Sequence, residues 1–283
     1  MQHFIASDGA CIAYRDTGVA GDGRVPIVLL HGLMAHGGFF REQAPLAEDF
    51  RVVTIDLRGH GESPAPDGKA SVERIAADVS DLVAALGLLG AIGVGWSLGA
   101  TVLWHVLAGP AASRFAGAVV IDMTARVRND DEWDLGLSPE ACEARSQAIR
   151  DDFDGFARNA GEGIFAEPVP AHLRGLADWA GGEFARSDPK AIASVWASLV
   201  RQDVRALLKG IAHPTLIVHG GRSRLYGDDT ADHLVAALPA AAAVRFGNSG
   251  HAPHLEEPEA FNRTLKDFAA RLSRAPTMET THR

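Results

Sequence analysis

The sequence predicts an α/β protein, with a mostly parallel sheet, helices on both of its faces and one helical insertion. Three observations carry this. Short apolar runs alternate with helix-length amphipathic stretches through the first part of the chain, the pattern of βα units and a parallel sheet. The alternation stops after Asp122, and no strand pattern is evident from about Met123 to Arg205. It resumes with the apolar run Pro214–His219. A chain of 283 residues, 47% of them apolar, is long and apolar enough to build one such core.

The elements follow in order. Pro26–Leu30 reads as a buried strand ending in His31-Gly32, and Gly37–Ala47 as a helical stretch. Arg51–Asp56 is a second strand, leading into a loop rich in Gly and Pro. Ser71–Leu88 carries apolar residues at Val72, Ile75, Ala76, Val79, Leu82, Val83 and Leu86, the spacing of one helix face. The strand Ala91–Gly95, an apolar helix over Leu98–Ala108 and the strand Ala116–Ile121 follow. After the insertion come the strand at Pro214, a helix over Asp229–Leu238, a strand over Ala242–Phe246 and a helix over Pro258–Arg271. Leu272–Arg283 is expected to fray. The core is thus expected at 1–122 and 206–283, with a helical cap at 123–205.

The formal net charge is −9, which argues against nucleic acid or an anionic membrane as a main partner. Cys11 and Cys142 can pair with each other but make neither a disulfide framework nor a metal cluster. Met1–Ala10 has no basic start followed by an apolar run, and no stretch is long and apolar enough to span a bilayer. A soluble, cytoplasmic protein is expected.

The sharpest motif is Gly95-Trp96-Ser97-Leu98-Gly99. It matches G-x-S-x-G between a strand and a helix, the setting of a nucleophile elbow. A strand turning abruptly into a helix forces an unusual backbone on its central residue, and small neighbours let the backbones pass. The serine hydroxyl is then presented at a helix N-terminus, where the Leu98 N–H and the helix dipole face charge developing on attack. Two other readings are weaker. A plain small-residue turn does not call for this strand–motif–helix context. A dinucleotide fingerprint built on Gly93, Gly95 and Asp122 needs its third glycine where Leu98 stands.

A serine hydroxyl needs a base, and the base needs an orienting acid. Of twelve histidines, His251 lies in Asn248-Ser-Gly-His251-Ala-Pro, after the last strand and before the last helix. That position fits the chain order Ser…Asp…His. His254 is read as a surface or pocket-rim residue. His251 and His254 have metal-ligand spacing, but no further cluster supports a metal.

With these residues in view, the chain resembles the α/β-hydrolase superfamily over nearly its whole length. It is similar to the serine carboxylesterase branch of pimeloyl methyl ester esterases and non-haem chloroperoxidase-like hydrolases. His31-Gly32-Leu33 looks like the oxyanion loop, Asp56-Leu-Arg-Gly-His-Gly-Glu-Ser63 like the family's D-x-R-G-x-G-x-S turn, and Gly250-His251 like its terminal histidine. The resemblance implies the α/β-hydrolase fold and an oxyanion hole formed by the Leu33 and Leu98 amides. It also implies structural roles for His31 and His60. Acyl transfer by a serine and a histidine is expected to need no metal or organic cofactor. One position departs from the pattern: Ser223 stands where similar enzymes place the acid after the strand ending His219-Gly220. Three arrangements remain open. The acid is Asp122 at the end of the preceding strand, or Asp228 or Asp229 folding back, or the pair Ser97–His251 acts alone. Asp122 is the expected acid, against the alternative of a helix cap or an ion pair with Arg126 or Arg128.

The aromatic residues of the insertion, Trp133, Trp179, Trp196, Phe153, Phe156, Phe165 and Phe184, can line an apolar pocket or form the insertion's own core. Trp96 is expected beneath the elbow, and Leu33, Met34 and Phe39 at the site's border. Acidic runs at Asn129–Glu132 and Asp151-Asp152 read as solvated faces. The function expected is hydrolysis of small or medium apolar esters through an acyl-enzyme, with a small-molecule ester as the partner. Lactonase, thioesterase, perhydrolase and carbon–carbon hydrolase activities share the frame. So does a signalling protein that binds a small molecule without turning it over quickly.

Overall fold

The structure is a computed structural model and describes residues 1–18, 21 and 23–274. The chain begins with an antiparallel pair, β1 (Gln2–Ile5) and β2 (Cys11–Asp16). Neither strand was read from the sequence. β1 is largely exposed and β2 mixes polar with apolar residues, so no apolar run marks them. The local signal is Asp8-Gly9, a hairpin dipeptide; Gly9 has φ +88° and the turn closes through Ala6 N–H to Ala10 O at 2.9 Å.

The parallel body then forms. β3 (Pro26–Leu30) is buried at every position. A 3-10 segment over Gly37–Glu48 leads to β4 (Arg51–Ile55). α1 (Val72–Ala85) starts at Ser71, whose hydroxyl caps the Arg74 amide. β5 (Ala91–Trp96), α2 (Leu98–Leu107) and β6 (Phe115–Ile121) follow.

Between β6 and the next strand the chain carries α3 (Pro139–Asp151), α4 (Phe153–Gly163), α5 (Arg174–Phe184), α6 (Pro189–Leu199) and the single turn α7 (Arg205–Leu208). Ser138-Pro139 and Asp188-Pro189 set two of these starts, with a side-chain cap and a proline at the first helical position. The sheet resumes with β7 (Thr215–Gly220), followed by α8 (Asp228–Ala237), β8 (Ala241–Phe246), the turn α9 (Pro253–Glu256) and α10 (Pro258–Arg274). Leu272–Arg274, expected to fray, continue α10; residues 275–283 lie outside the described residues.

The eight strands run in the order β1-β2-β4-β3-β5-β6-β7-β8. All pairings from β4 to β8 are parallel, and only β1 and β2 are antiparallel additions at one edge. The chain winds outward from β3 to β4, then returns to place β5 on β3's other side. Such a reversal opens a crevice at the strands' carboxyl ends. The register aligns those ends, with Leu30 opposite Gly95, Trp96 opposite Ile121 and Ile121 opposite Val218. Gly32, Ser97, Asp122 and Gly220 therefore emerge along one edge.

The turn from β5 into α2 depends on the absence of side chains. A Cβ on Gly99 would lie 2.1 Å from the Leu30 carbonyl oxygen, and one on Gly95 would lie 2.5 Å from the Gly99 oxygen. Both obstacles are backbone, which cannot swing away. Gly99→Ala should therefore push α2 off β3 and cost about 1–3 kcal/mol or more. Gly182→Ala meets nothing within 4 Å on its helix and should be neutral or stabilising by about 0.5–1 kcal/mol. Urea denaturation of the two variants beside the parent checks this; equal stabilities would refute the packing argument.

Candidate active site

Ser97 is the single residue between β5 and α2, with φ 53° and ψ −119°. A non-glycine residue in that region is strained. The turn is held by Ser97 N–H donating to the Ile121 carbonyl at 3.0 Å and by the Ser97 carbonyl accepting from Ala100 N–H at 2.8 Å. The side chain leaves the strand line and borders a cavity of about 280 Å³.

Asp122 directly follows β6, which neighbours β5, and takes φ 46°. Its side chain is fully buried and accepts three hydrogen bonds. His251 Nδ1–H donates to Oδ2 at 2.6 Å, the Ser223 hydroxyl donates to the same oxygen at 2.7 Å, and Gly220 N–H donates to Oδ1 at 3.1 Å. Ser223, at the position where an acid was missing, thus supports the carboxylate one strand away. Asp228 is occupied elsewhere, with Arg245 Nε at 3.0 Å and His219 Nδ1 at 3.4 Å, and neither it nor Asp229 touches His251. Arg126 pairs with Asp130 rather than with Asp122.

The backbone around His251 is fixed from four sides. Its N–H donates to the Ile164 carbonyl at 2.8 Å, and its carbonyl accepts from the Trp96 indole N–H at 2.8 Å. The buried Glu256 carboxylate accepts from Gly250 N–H at 2.7 Å and Ala252 N–H at 3.4 Å with one oxygen, and from Ala166 N–H at 2.8 Å with the other. Burial pushes the Glu256 carboxyl up to about 7, against the pull of those three amides. No motif pointed to Glu256; only its nearness to His251 could have.

Ser97 and His251 line the same cavity without a hydrogen bond between them among the described residues. Such contacts are often long until substrate is bound. The N–H groups of Leu33 and Leu98 have no backbone acceptor among the described residues. Leu33 lies on a tight loop where Met34 takes φ 64° and its carbonyl accepts from the Ser187 hydroxyl at 3.1 Å.

The two motif histidines are framework. His31 donates from Nδ1 to the Gly32 carbonyl at 2.8 Å and accepts the Leu57 N–H at Nε2 at 2.9 Å, which fixes it as neutral. Burial holds its pKa well below the usual range. His60 packs 5.2 Å from it, and burial lowers its pKa to about 4. The Asp56 turn is knitted in the same way: Asp56 accepts from Gly37 and Glu62 amides, Ser63 donates to the Asp56 carbonyl at 2.6 Å, and Arg58 grips Asp78 of α1 with two 2.7 Å bonds.

Several expectations need correction. His254 is wholly buried rather than at a surface or rim, boxed by Trp96 at 4.9 Å, Phe40 at 5.0 Å and Phe261 at 6.0 Å. Phe39 does not border the cavity; it is buried against Trp96, Trp179 and Phe184. Trp133 and Trp179 pack elsewhere, while Trp196, Phe156 and Phe184 do line the cavity, as do Leu33 and Met34. Trp96 is buried as expected. Cys11 and Cys142 are both free. Three polar cavity residues carried no sequence signal: Arg145, Asn159 and Tyr226.

His254 offers a pH test. Both its ring nitrogens lack partners among the described residues, and burial lowers its pKa from 6.5 to about 3. Below pH 6.5 the unfolded chain takes up a proton there that the native state refuses. Stability from this group is thus complete above pH 6.5 and declines as pH falls toward about 3. His254→Phe removes the titration, so the slope of stability against pH across that window should flatten. An unchanged slope in urea titrations at several pH values would refute the assignment.

Comparison with known proteins places this site in context. Residues 27–264 match the model of the alpha/beta hydrolase family. The pimeloyl-[acyl-carrier protein] methyl ester esterase of Chromobacterium violaceum is 30% identical over 246 residues, 85% of this chain and 92% of that protein. Among solved structures, the esterase EaEST of Exiguobacterium antarcticum superposes with a TM-score of 0.87 at 24% identity, over 95% of this chain and 98% of that one. The esterase RhEst1 of Rhodococcus sp. ECU1013 gives 0.81 at 26% identity, over 96% and 98%. An elbow serine, a histidine on a terminal loop and a sheet of this order agree with the sequence match, and the chain belongs to the alpha/beta hydrolase family.

Proposed function

We propose that this protein is a serine hydrolase that cleaves carboxylic esters of small or medium apolar substrates through an acyl-enzyme. The observation that supports it most is the 2.6 Å bond from His251 Nδ1–H to a buried Asp122, on the same cavity as a strained elbow serine. That bond commits the Nδ1 proton, so the Nε2 lone pair is free to act as a base. The ester-cleaving relative and an apolar cavity lining support the substrate class.

In the proposed mechanism Ser97 Oγ attacks the ester carbonyl while His251 Nε2 takes its proton. Negative charge collects on the carbonyl oxygen, which accepts from the Leu33 and Leu98 amides; one such donor is worth about 3–4 kcal/mol in comparable sites. The tetrahedral adduct collapses as His251 returns the proton to the departing alcohol. Water then attacks the acyl-enzyme, with His251 taking its proton and Ser97 leaving with it. Asp122 stays ionised and stabilises the imidazolium in both steps. In this reading residues 123–205 form a cap over a core of 1–122 and 206–283, and shape the acyl and alcohol pockets. None of the described helices is long and apolar enough to cross a membrane.

Ser97→Ala should abolish turnover of aryl esters with the fold intact, and a fluorophosphonate should label Ser97 alone. Labelling elsewhere, or activity within about tenfold of the parent, would refute the nucleophile. His251→Ala should lower kcat by several orders of magnitude.

Asp122→Asn keeps the shape and removes the charge, and a loss of about 10⁴-fold in kcat is expected. Asp228→Asn and Asp229→Asn should have mild effects. The reverse ranking in steady-state kinetics would show that the acid lies elsewhere. A panel of aryl esters of graded acyl length separates an enzyme from a signalling relative, which would show very slow turnover and a ligand-dependent shift in Tm.

A further inference from the structure

The cavity beside Ser97 is apolar but for a few groups, and one of them is a full positive charge. Arg145 sits on α3, half-buried, and is the single Lys, Arg, Asp or Glu among the lining residues. Its neighbours explain why it stands alone. Arg150 on α3 pairs with Glu143, and Arg158 on α4 pairs with Asp154. Arg145 instead has Ala141, Cys142, Ala148 and Ile149 at helical spacing. Among the described residues no carboxylate lies within ion-pair distance of it. Its one aromatic contact is with Trp196, 5.8 Å from the ring centroid, and Trp196 also lines the cavity.

The charge acts inside the pocket. It opposes the rise that burial imposes on the Tyr226 phenol and on the Cys142 thiol. Tyr226 and Asn159, both on the lining, present a hydroxyl and an amide with no hydrogen-bond partner among the described residues. A half-buried guanidinium with no carboxylate partner on a mostly apolar wall forms a receptor for an anion, because such a group fixes ligand orientation and is costly to leave unmatched. A guanidinium's planar fork fits a carboxylate.

We propose that Arg145 anchors a carboxylate of the substrate, so that the ester cleaved is anionic, with a carboxylate remote from the scissile carbonyl. This rests on the ester-cleaving reading above. Tyr226 and the exposed Asn159 add neutral donors on the same cavity lining. The acidic surface then does not recruit this substrate, and the local cation has to outweigh it.

The test uses the full-length Ser97→Ala protein, which binds without turnover. Monomethyl and dimethyl esters of dicarboxylic acids from succinate to suberate are titrated into it by calorimetry. At the best chain length the half-ester should bind at least about tenfold tighter than its diester, the scale of one charged hydrogen bond. Adding Arg145→Met should erase that ratio, and Arg145→Lys should keep part of it. Equal binding of the two esters, or a ratio that survives Arg145→Met, overturns the proposal. The parent enzyme assayed on the same pairs keeps the two readings apart. Turnover of both esters without a charge preference retains ester cleavage and removes the anion site. An Arg145-dependent ratio in binding with no turnover retains the anion site and removes ester cleavage.

Discussion

A carboxylate cut off from water, Asp122, is the constraint around which the carboxyl edge of the sheet is built. A carboxylate buried in that position must be matched by hydrogen-bond donors or it destabilises the fold. The donors come from three places: the end of β7 at Gly220, the loop at Ser223 and the ring of His251. Segments far apart in sequence are thereby drawn to one point. The positive φ of Asp122 is the local cost of aiming the side chain there, as the positive φ of Ser97 is for the hydroxyl.

His251 is caught between two buried acids with different tasks. Asp122 holds its ring, and Glu256 holds the amides on either side of its backbone. The ring acid is strongly hydrogen-bonded by a hydroxyl and an amide besides the histidine. The backbone acid meets only neutral amide donors, and burial raises its pKa. Removing either would leave buried donors unmatched, a cost of about 1–3 kcal/mol for each.

Much of this was legible beforehand, and the reasons are physical. Buried parallel strands must be apolar throughout, so β3 through β7 announce themselves as runs. The elbow is legible because close backbone approach admits only small residues at Gly95 and Gly99. The contact between Asp122 and His251 was expected because Ser223 can supply no negative charge beside the histidine. What stayed hidden depends on contacts between distant segments. β1 is an exposed edge strand and β2 mixes polar with apolar residues, so no apolar run marks either. His254 was misjudged because a polar residue type was taken as a sign of exposure, whereas three aromatic rings enclose it. Glu256 and Arg145 belong to no motif, and their neighbours determine what each of them does.

The hydrogen bonds from Ile164 and Ala166 to the histidine loop join two segments that could have been separate. Those residues follow α4 in the helical insertion, and they supply one acceptor and one donor to the loop that carries His251. The stretch after α4 and the histidine loop are therefore one hydrogen-bonded unit, and a substitution that displaces Ile164 or Ala166 also loosens the backbone on either side of His251.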